Sequence, residues 1–324
     1  MAYNLYINGA RTDTYNSKKI SSVTLNNVEY AIQPILQCTV AGLGSSSPSS
    51  VTFTNNTIKD WTPEIVTFDG VSFAKFPTFY RKVISSADSQ ITSFTIADAK
   101  IDNAYQPYPC FVKEDGTTVM DYILVAVDRF STSSTIADGR TYANQQNTTF
   151  NRSGYQLYDW MIHKLFQDLA ICKLQTINTN SGSGITSLLG INWGSTSDWI
   201  DGIASPSSDN YWVFSYKPSC YVNEPSSSTT GYQAVNYARP TTSGEISKLG
   251  YDTSHPFVNY PNSVVSNSSY NTYYCDQYYY SSGSRPVRCY VAFSDSYYGV
   301  FSCYSYREWS YPYGVRLCYR PIEN

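Results

Sequence analysis

Few residues in this chain could do chemistry. Only two histidines occur, His163 and His255. His163 lies one turn from Trp160 and from Gln167 in a stretch with helical periodicity, and His255 precedes Pro256 in polar sequence. A metal site needs several N, S or O ligands converging on one point, so the plainer reading is a helix-face histidine and a loop histidine. The eight cysteines, Cys38, Cys110, Cys172, Cys220, Cys275, Cys289, Cys303 and Cys318, include no CxxC pair and fit no zinc-ribbon spacing. Most are expected as free, buried thiols, since an unpaired cysteine behaves as a small hydrophobe. Serine is abundant, but no GxSxG elbow offers a nucleophile, and no GxxxxGK[ST] or post-strand GxGxxG offers a phosphate cradle. Ser181–Gly184 reads as a turn. Asp121, Asp128 and Asp138 are dispersed and read as structural or solvated. The sequons at Asn147 and Asn267 carry little weight in text this rich in Ser, Thr and Asn. No catalytic residue, metal or cofactor is assigned, and the chain is not expected to be an enzyme.

The elements available to position side chains are mostly strands. Residues 1–65 read as a small β-rich module with a turn at Asn26-Asn27. The Gly/Ser/Thr-rich stretch AGLGSSSPSSVTFTNNT follows within it as a loop and candidate boundary. From Glu64 the run EIVTFDGVSFAKFPTFYRKV supplies strand-forming aromatics, and Pro77 confines its strand to an edge or an end. TTVMDYILVAVDRF has the continuous apolar run of a buried central strand. One long helix is expected in GYQLYDWMIHKLFQDLAICKLQTINTN. Leu157, Trp160, Met161, Leu165, Leu169 and Cys172 form its apolar stripe, Asp159, Lys164 and Asp168 fall outside that stripe, and Asn151 or Ser153 caps its start. A shorter helix is expected in SDWIDGIA. Strands, one main helix, long loops and closing strands together indicate an α+β fold with antiparallel sheets.

Composition then points to recognition. Of 32 tyrosines in 324 residues, 14 lie between Tyr270 and Tyr319, mixed with serine, and no lysine follows Lys248. Tyr gives a large rigid contact with one hydroxyl at low entropy cost, and Ser adapts around it, as in antibody paratopes. Adjacent strand residues face opposite sides, so Tyr278-Tyr279-Tyr280 cannot all enter one core face. Cross-strand aromatic pairing explains some of these rings, and a shared exposed patch is expected from the rest. A net charge of −3 without a basic stripe disfavours nucleic acid. No apolar run approaches the roughly twenty residues of a membrane helix, so no membrane insertion is expected. MAYNLYINGARTD lacks the charged segment and apolar core of a secretory signal, which implies synthesis in a cell's cytoplasm and release by lysis or within a particle.

A sparse frame interrupts the Tyr/Ser block: Arg288 and Cys289, then Gly299-Val300-Phe301, then Gly314-Val315-Arg316-Leu317. This spacing resembles the C-terminal variable region of proteins diversified by diversity-generating retroelements, which share a C-type-lectin-like fold of the formylglycine-generating-enzyme type. Gly314–Leu317 matches their closing G-[FAV]-R-L strand, and Tyr298-Gly299-Val300-Phe301 matches a scaffold step in which Ala is common at the first position. Upstream, PTFYRKV, YPCFVKEDGTTVMDYILVAV and YQLYDWMIHKLFQDLAICKLQTINTNSGSG resemble phage-encoded members in the same order, so the likeness covers about residues 66–324. It departs at CYVAF, where a Gly-Gly-rich strand is frequent.

The resemblance implies a C-type-lectin-like ligand-binding domain at 66–324, with a variable region at about 270–320, preceded by the 1–65 module for attachment or oligomerisation. It makes Ser294, Asp295, Ser296, Tyr297, Tyr298, Tyr304, Tyr306, Tyr311 and Tyr313 ligand-facing, with Asp276, Tyr278 and Tyr280 lining the same patch, and Trp309 fixed. The lectin calcium signature is missing: there is no WND, and Glu224-Pro225-Ser226 echoes EPN poorly. The implied role is host attachment by a virion protein at a tail or fibre tip, with a host cell-surface protein or glycan as ligand, other virion proteins as partners, and a homo-oligomer left open. Two alternatives stay open. One is an oxidase of the formylglycine-generating type using Cys303 and Cys318. The other is a structural virion protein whose tyrosines make subunit contacts.

Overall fold

The computed structural model describes residues 3–7, 10–15, 22–25, 28–31, 35–44, 50–88, 90–179, 187–193, 198–204, 210–214, 232–266, 276–280, 290–291, 299–301, 303–304 and 313–322. The protein is strand-rich and mixed, with antiparallel sheets and two helices.

Two five-stranded sheets organise the core. The first runs Gln106–Pro107, Tyr80–Ala87, Gln90–Ala97, Gln37–Ala41, Thr52–Thr54. The second runs Tyr155–Leu157, Leu317–Tyr319, Tyr122–Ala126, Val71–Pro77, Glu64–Phe68. Tyr122–Ala126 is central and buried, as its unbroken apolar run requires. Alternation along these strands splits their side chains between two faces. Ala74, Phe76, Ile123, Val125 and Cys318 join a large core shared with Cys38, Val40, Phe94 and Ile96 of the first sheet. Phe73, Leu124, Ala126, Tyr155, Leu317 and Tyr319 face the other way, with Ala143.

Helix α1 (Ile136–Phe150) covers that second face, and the sequence reading missed it. A Thr135/Asp138 capping box opens it, and Asn151 in the left-handed region (φ 52°) closes it. Its buried residues are only Ile136, Gly139 and Ala143, one large apolar side chain and two small residues, which leaves little periodic signal. Gly139 sits tightly against Leu157 and Val315, 3.0–3.2 Å from where a Cβ would lie.

Helix α2 (Trp160–Leu174) is shorter than expected from the sequence. Asp159 is its N-cap, accepting from the backbone N–H groups of Met161 and Ile162, so neither Asn151 nor Ser153 has that role. Tyr155–Leu157 pairs instead with Leu317–Tyr319. The amphipathic picture also fails: α2 is buried on every side from Trp160 to Cys172, including Lys164 and Asp168. SDWIDGIA forms two short strands, Asp198–Trp199 and Ile203–Ala204, rather than a helix. Gly202 turns the chain between them with φ 74°.

The boundary at residue 65 also needs correction. Gln37–Ala41 pairs with Gln90–Ala97, and Cys38, Val40 and Ile58 belong to the main core. Within AGLGSSSPSSVTFTNNT, Thr52–Thr54 pairs back on Thr39–Ala41, which makes this stretch a hairpin connection. The hairpins Tyr3–Ile7/Ala10–Tyr15 and Ser22–Leu25/Val28–Ala31 pair only internally among the described residues.

Candidate functional site

The sparse frame of the Tyr/Ser block is where its backbone is fixed. At the C-terminal anchor, a Cβ on Gly314 would overlap Asp198 Oδ1 and the Arg129 side chain. Only glycine therefore permits the bridge between Gly314 and Asp198. Val315 is buried with Ile136 and Leu157. Arg316 is fully buried. Its Nε and Nη2 donate to Asp198 Oδ2 at 3.2 and 3.1 Å, Nη1 donates to the carbonyls of Ala126 and Val127 at 2.7 Å each, and Nη2 also donates to Asn192 O at 2.8 Å. All five guanidinium N–H groups are thus directed to acceptors. The guanidinium lies 4.7 Å from the Trp193 ring centroid, over its face. Arg129 meets the second oxygen of the same carboxylate. Leu317 then enters the central sheet. One residue, Arg316, so ties the closing strand to the ends of two other strands and to Asp198.

The middle anchor is built differently. Val300 and Phe301 are buried. Thr179 Oγ1 accepts from Val300 N at 2.9 Å and donates to Asp276 Oδ2 at 3.2 Å, while Asp276 Oδ2 also accepts from Phe301 N at 2.9 Å. Gln167 on α2 donates to Val300 O at 2.9 Å. A Cβ at Gly299 would overlap both Thr179 Oγ1 and the Asp276 carboxylate. Burial pushes the Asp276 carboxyl up to about 8, against the opposing pull of the Phe301 N–H and the Thr179 hydroxyl. Its Oδ1 is buried without a hydrogen-bond partner, which suits a protonated carboxyl better than an ionised one.

Asp276 and Tyr278 are therefore not ligand-facing: both are fully buried. The Tyr278 hydroxyl donates to Pro240 O at 3.2 Å, as a buried phenol requires. Gln277–Tyr279 pairs with Gly244–Leu249 and, in parallel, with Cys303–Tyr304. Tyr280, just past the strand, is half-buried with Arg239 5.0 Å from its ring centroid, and its N–H donates to Ser243 Oγ. Within this run Tyr278 points inward while Tyr279 and Tyr280 keep partial exposure. The backbones of Tyr304 and Tyr313 lie in short strands opposite Tyr279 and Ser134. Ser294, Asp295, Ser296, Tyr297, Tyr298, Tyr306 and Tyr311 lie outside the described residues, as do Arg288, Cys289 and Trp309.

Both histidines have structural partners. His163 is buried between Tyr158 (3.2 Å from Nδ1) and Gln167 (3.1 Å from Nε2), and burial lowers its pKa to about 3 with Lys164 adding to the shift. His255 Nδ1 sits 2.8 Å from Asp252 Oδ2. Among the described residues, no group of three or more His, Cys, Asp or Glu side chains could hold a metal ion. Cys38, Cys110, Cys172 and Cys318 are free and buried. Burial drives the thiols of Cys110, Cys172 and Cys318 well above their ordinary range, the opposite of an activated nucleophile. No helix among the described residues is long and apolar enough to cross a membrane. The Asp198 and Thr179 contacts were missed from sequence, because nothing in SDWIDG or TINTN signals a partner more than a hundred residues away. No protein-family model and no curated protein sequence matches this chain.

Proposed function

We propose that this chain is a viral receptor-binding protein with a C-type-lectin-like fold, whose C-terminal segment displays a hypervariable Tyr/Ser-rich surface to a protein or glycan on the host cell. One observation carries this. The few residues that interrupt the Tyr/Ser block, Gly299–Phe301 and Gly314–Leu317, are buried and bonded to distant parts of the fold. The twelve positions from Ser302 to Tyr313 are thereby tethered at both ends to a stiff body. Side chains between two fixed anchors can change without loss of the packing that holds the anchors, and anchored ends lower the entropy lost on binding. Several copies on one particle convert weak single contacts into firm attachment by raising the effective concentration. A virion location at a tail or fibre tip, contacts with other virion proteins, and an attachment or oligomerisation role for the N-terminal hairpins belong to the same proposal. The buried, high-pKa thiol of Cys318 weighs against the oxidase alternative.

The test is the combined replacement of Tyr297, Tyr298, Tyr306 and Tyr311 by alanine in particles carrying the chain. Lost host adsorption by intact particles supports attachment. Failed particle assembly supports a purely structural role, and undiminished adsorption removes the display surface from the explanation. A near-copy of the DNA encoding the last hundred or so codons, differing only at adenines and lying beside a reverse transcriptase gene, would test the diversification reading independently.

A further inference from the structure

We propose that a small cavity between α2 and the strand Tyr80–Ala87 is a binding site for one monovalent anion of halide size, chloride in ordinary salt. The cavity measures about 20 Å³ and is walled by Leu43, Ile91, Phe94, Ile171, Leu249 and Phe301, with Arg81, Lys164 and Asp168 as its charged lining among the described residues. All three charged side chains are at least nine-tenths buried.

Their charges do not balance. Asp168 is the single acid, and it is already well supplied. Lys164 Nζ donates to Oδ1 at 2.8 Å, the Tyr108 hydroxyl donates to Oδ2 at 2.7 Å, and Arg81 Nε lies 3.4 Å from Oδ2. That last contact is an ion pair but not a hydrogen bond, so Arg81 Nε keeps an unused N–H. Arg81 Nη1 is spent on Pro256 O and Asn259 Oδ1. Lys164 uses one of its three ammonium hydrogens. Two cations and one anion leave a net charge of +1 in a largely apolar lining, where an unpaired charge is costly.

Two routes relieve that cost. Lys164 can lose its proton, and burial does lower its pKa to about 8, with Asp168 holding it up and Arg81 pressing it down. Below that pH it stays charged, and an anion in the cavity completes the cluster. The cavity has room for about one water-sized occupant, the size of a halide. Arg81 also lines a cleft of about 150 Å³ with Val83, Gln106, Tyr251, Pro256 and Phe257, so the guanidinium borders both spaces. Phe301, whose N–H binds Asp276, forms part of the wall, so the ion would brace the seat of the middle anchor.

The experiment uses the full chain at pH 7 and constant ionic strength, with sodium chloride exchanged for sodium gluconate, whose anion cannot enter. The expected result is a saturable rise in Tm with chloride of about 2–4 °C, matched by bromide. The rise should vanish in Lys164→Met, which leaves Arg81 and Asp168 as a neutral pair, and above pH 9, where Lys164 is uncharged while burial keeps the Tyr108 phenol and the Cys172 thiol protonated. Equal Tm in the two salts, or a chloride effect that survives in Lys164→Met, overturns the proposal. Should Lys164→Met fail to fold, bromide-soaked crystals of the unaltered chain decide: an anomalous peak in the cavity supports the site, and water alone there refutes it.

Discussion

Replacing Arg316 by methionine should separate frame from display. Methionine approximates the aliphatic stem but offers no N–H. Asp198 keeps Arg129, and Val127 O keeps the N–H of Asn192, so the carboxylate is not stranded. The carbonyls of Ala126 and Asn192 lose their guanidinium donor, and Trp193 loses the cation on its face. Breaking one partner of a buried ion pair costs about 3–5 kcal/mol, and the surviving Arg129 places this case near the lower figure. With an m-value of roughly 3 kcal/mol per molar urea for a domain of this size, the unfolding midpoint should fall by about 1 M. On the display proposal, the combined Tyr297, Tyr298, Tyr306 and Tyr311 alanine variant should shift it less, since substitutions of solvent-facing residues each stay within about 0.5 kcal/mol. Urea unfolding followed by circular dichroism reads both. An unchanged midpoint for Arg316→Met, or a tyrosine variant that loses as much as Arg316→Met, would refute the division between buried frame and exchangeable surface.

Further outcomes follow from the same geometry. Asp276 binds its proton more tightly folded than unfolded, so its contribution weakens as pH rises from about 4 to about 8, with a slope of up to ~1.4 kcal/mol per pH unit; Asp276→Asn should flatten that slope in pH-dependent urea melts. His163 acts in the opposite sense: its pKa is depressed in the folded state, so the stability it supplies is lost as pH falls from about 6.5 towards 3, and His163→Gln should remove that loss. Gly314→Ala should lower stability by about 1–3 kcal/mol through overpacking against Asp198 and Arg129, measured by calorimetry. Cys38, Cys110, Cys172 and Cys318 should resist thiol reagents until the chain is unfolded, which mass spectrometry after timed labelling can follow.

The sequence by itself determined the α+β class, the central strand at Tyr122–Ala126, most of helix α2 and the positions of the frame residues. Each of these is written in a local pattern: an unbroken apolar run, a helical repeat, a glycine before a branched apolar residue. Where local pattern and tertiary demand parted, the tertiary demand won. Tyr155–Leu157 has helical text but serves as a strand, because Leu317–Tyr319 needs a second neighbour in the sheet. Helix α1 has almost no apolar stripe, yet Ile136 and Gly139 fit against Leu157 and Val315. Lys164 and Asp168 fall outside the apolar stripe, yet they are buried because Arg81 and Tyr108 arrive from distant parts of the chain to pair with Asp168. Asp276 and Tyr278 have the composition of the binding block but point inward, since Phe301 N and Pro240 O supply partners only after folding. Burial, charge balance and hydrogen-bond satisfaction are properties of contacts between remote segments. A linear pattern can name the residue types, but only the assembled structure decides which of them face water.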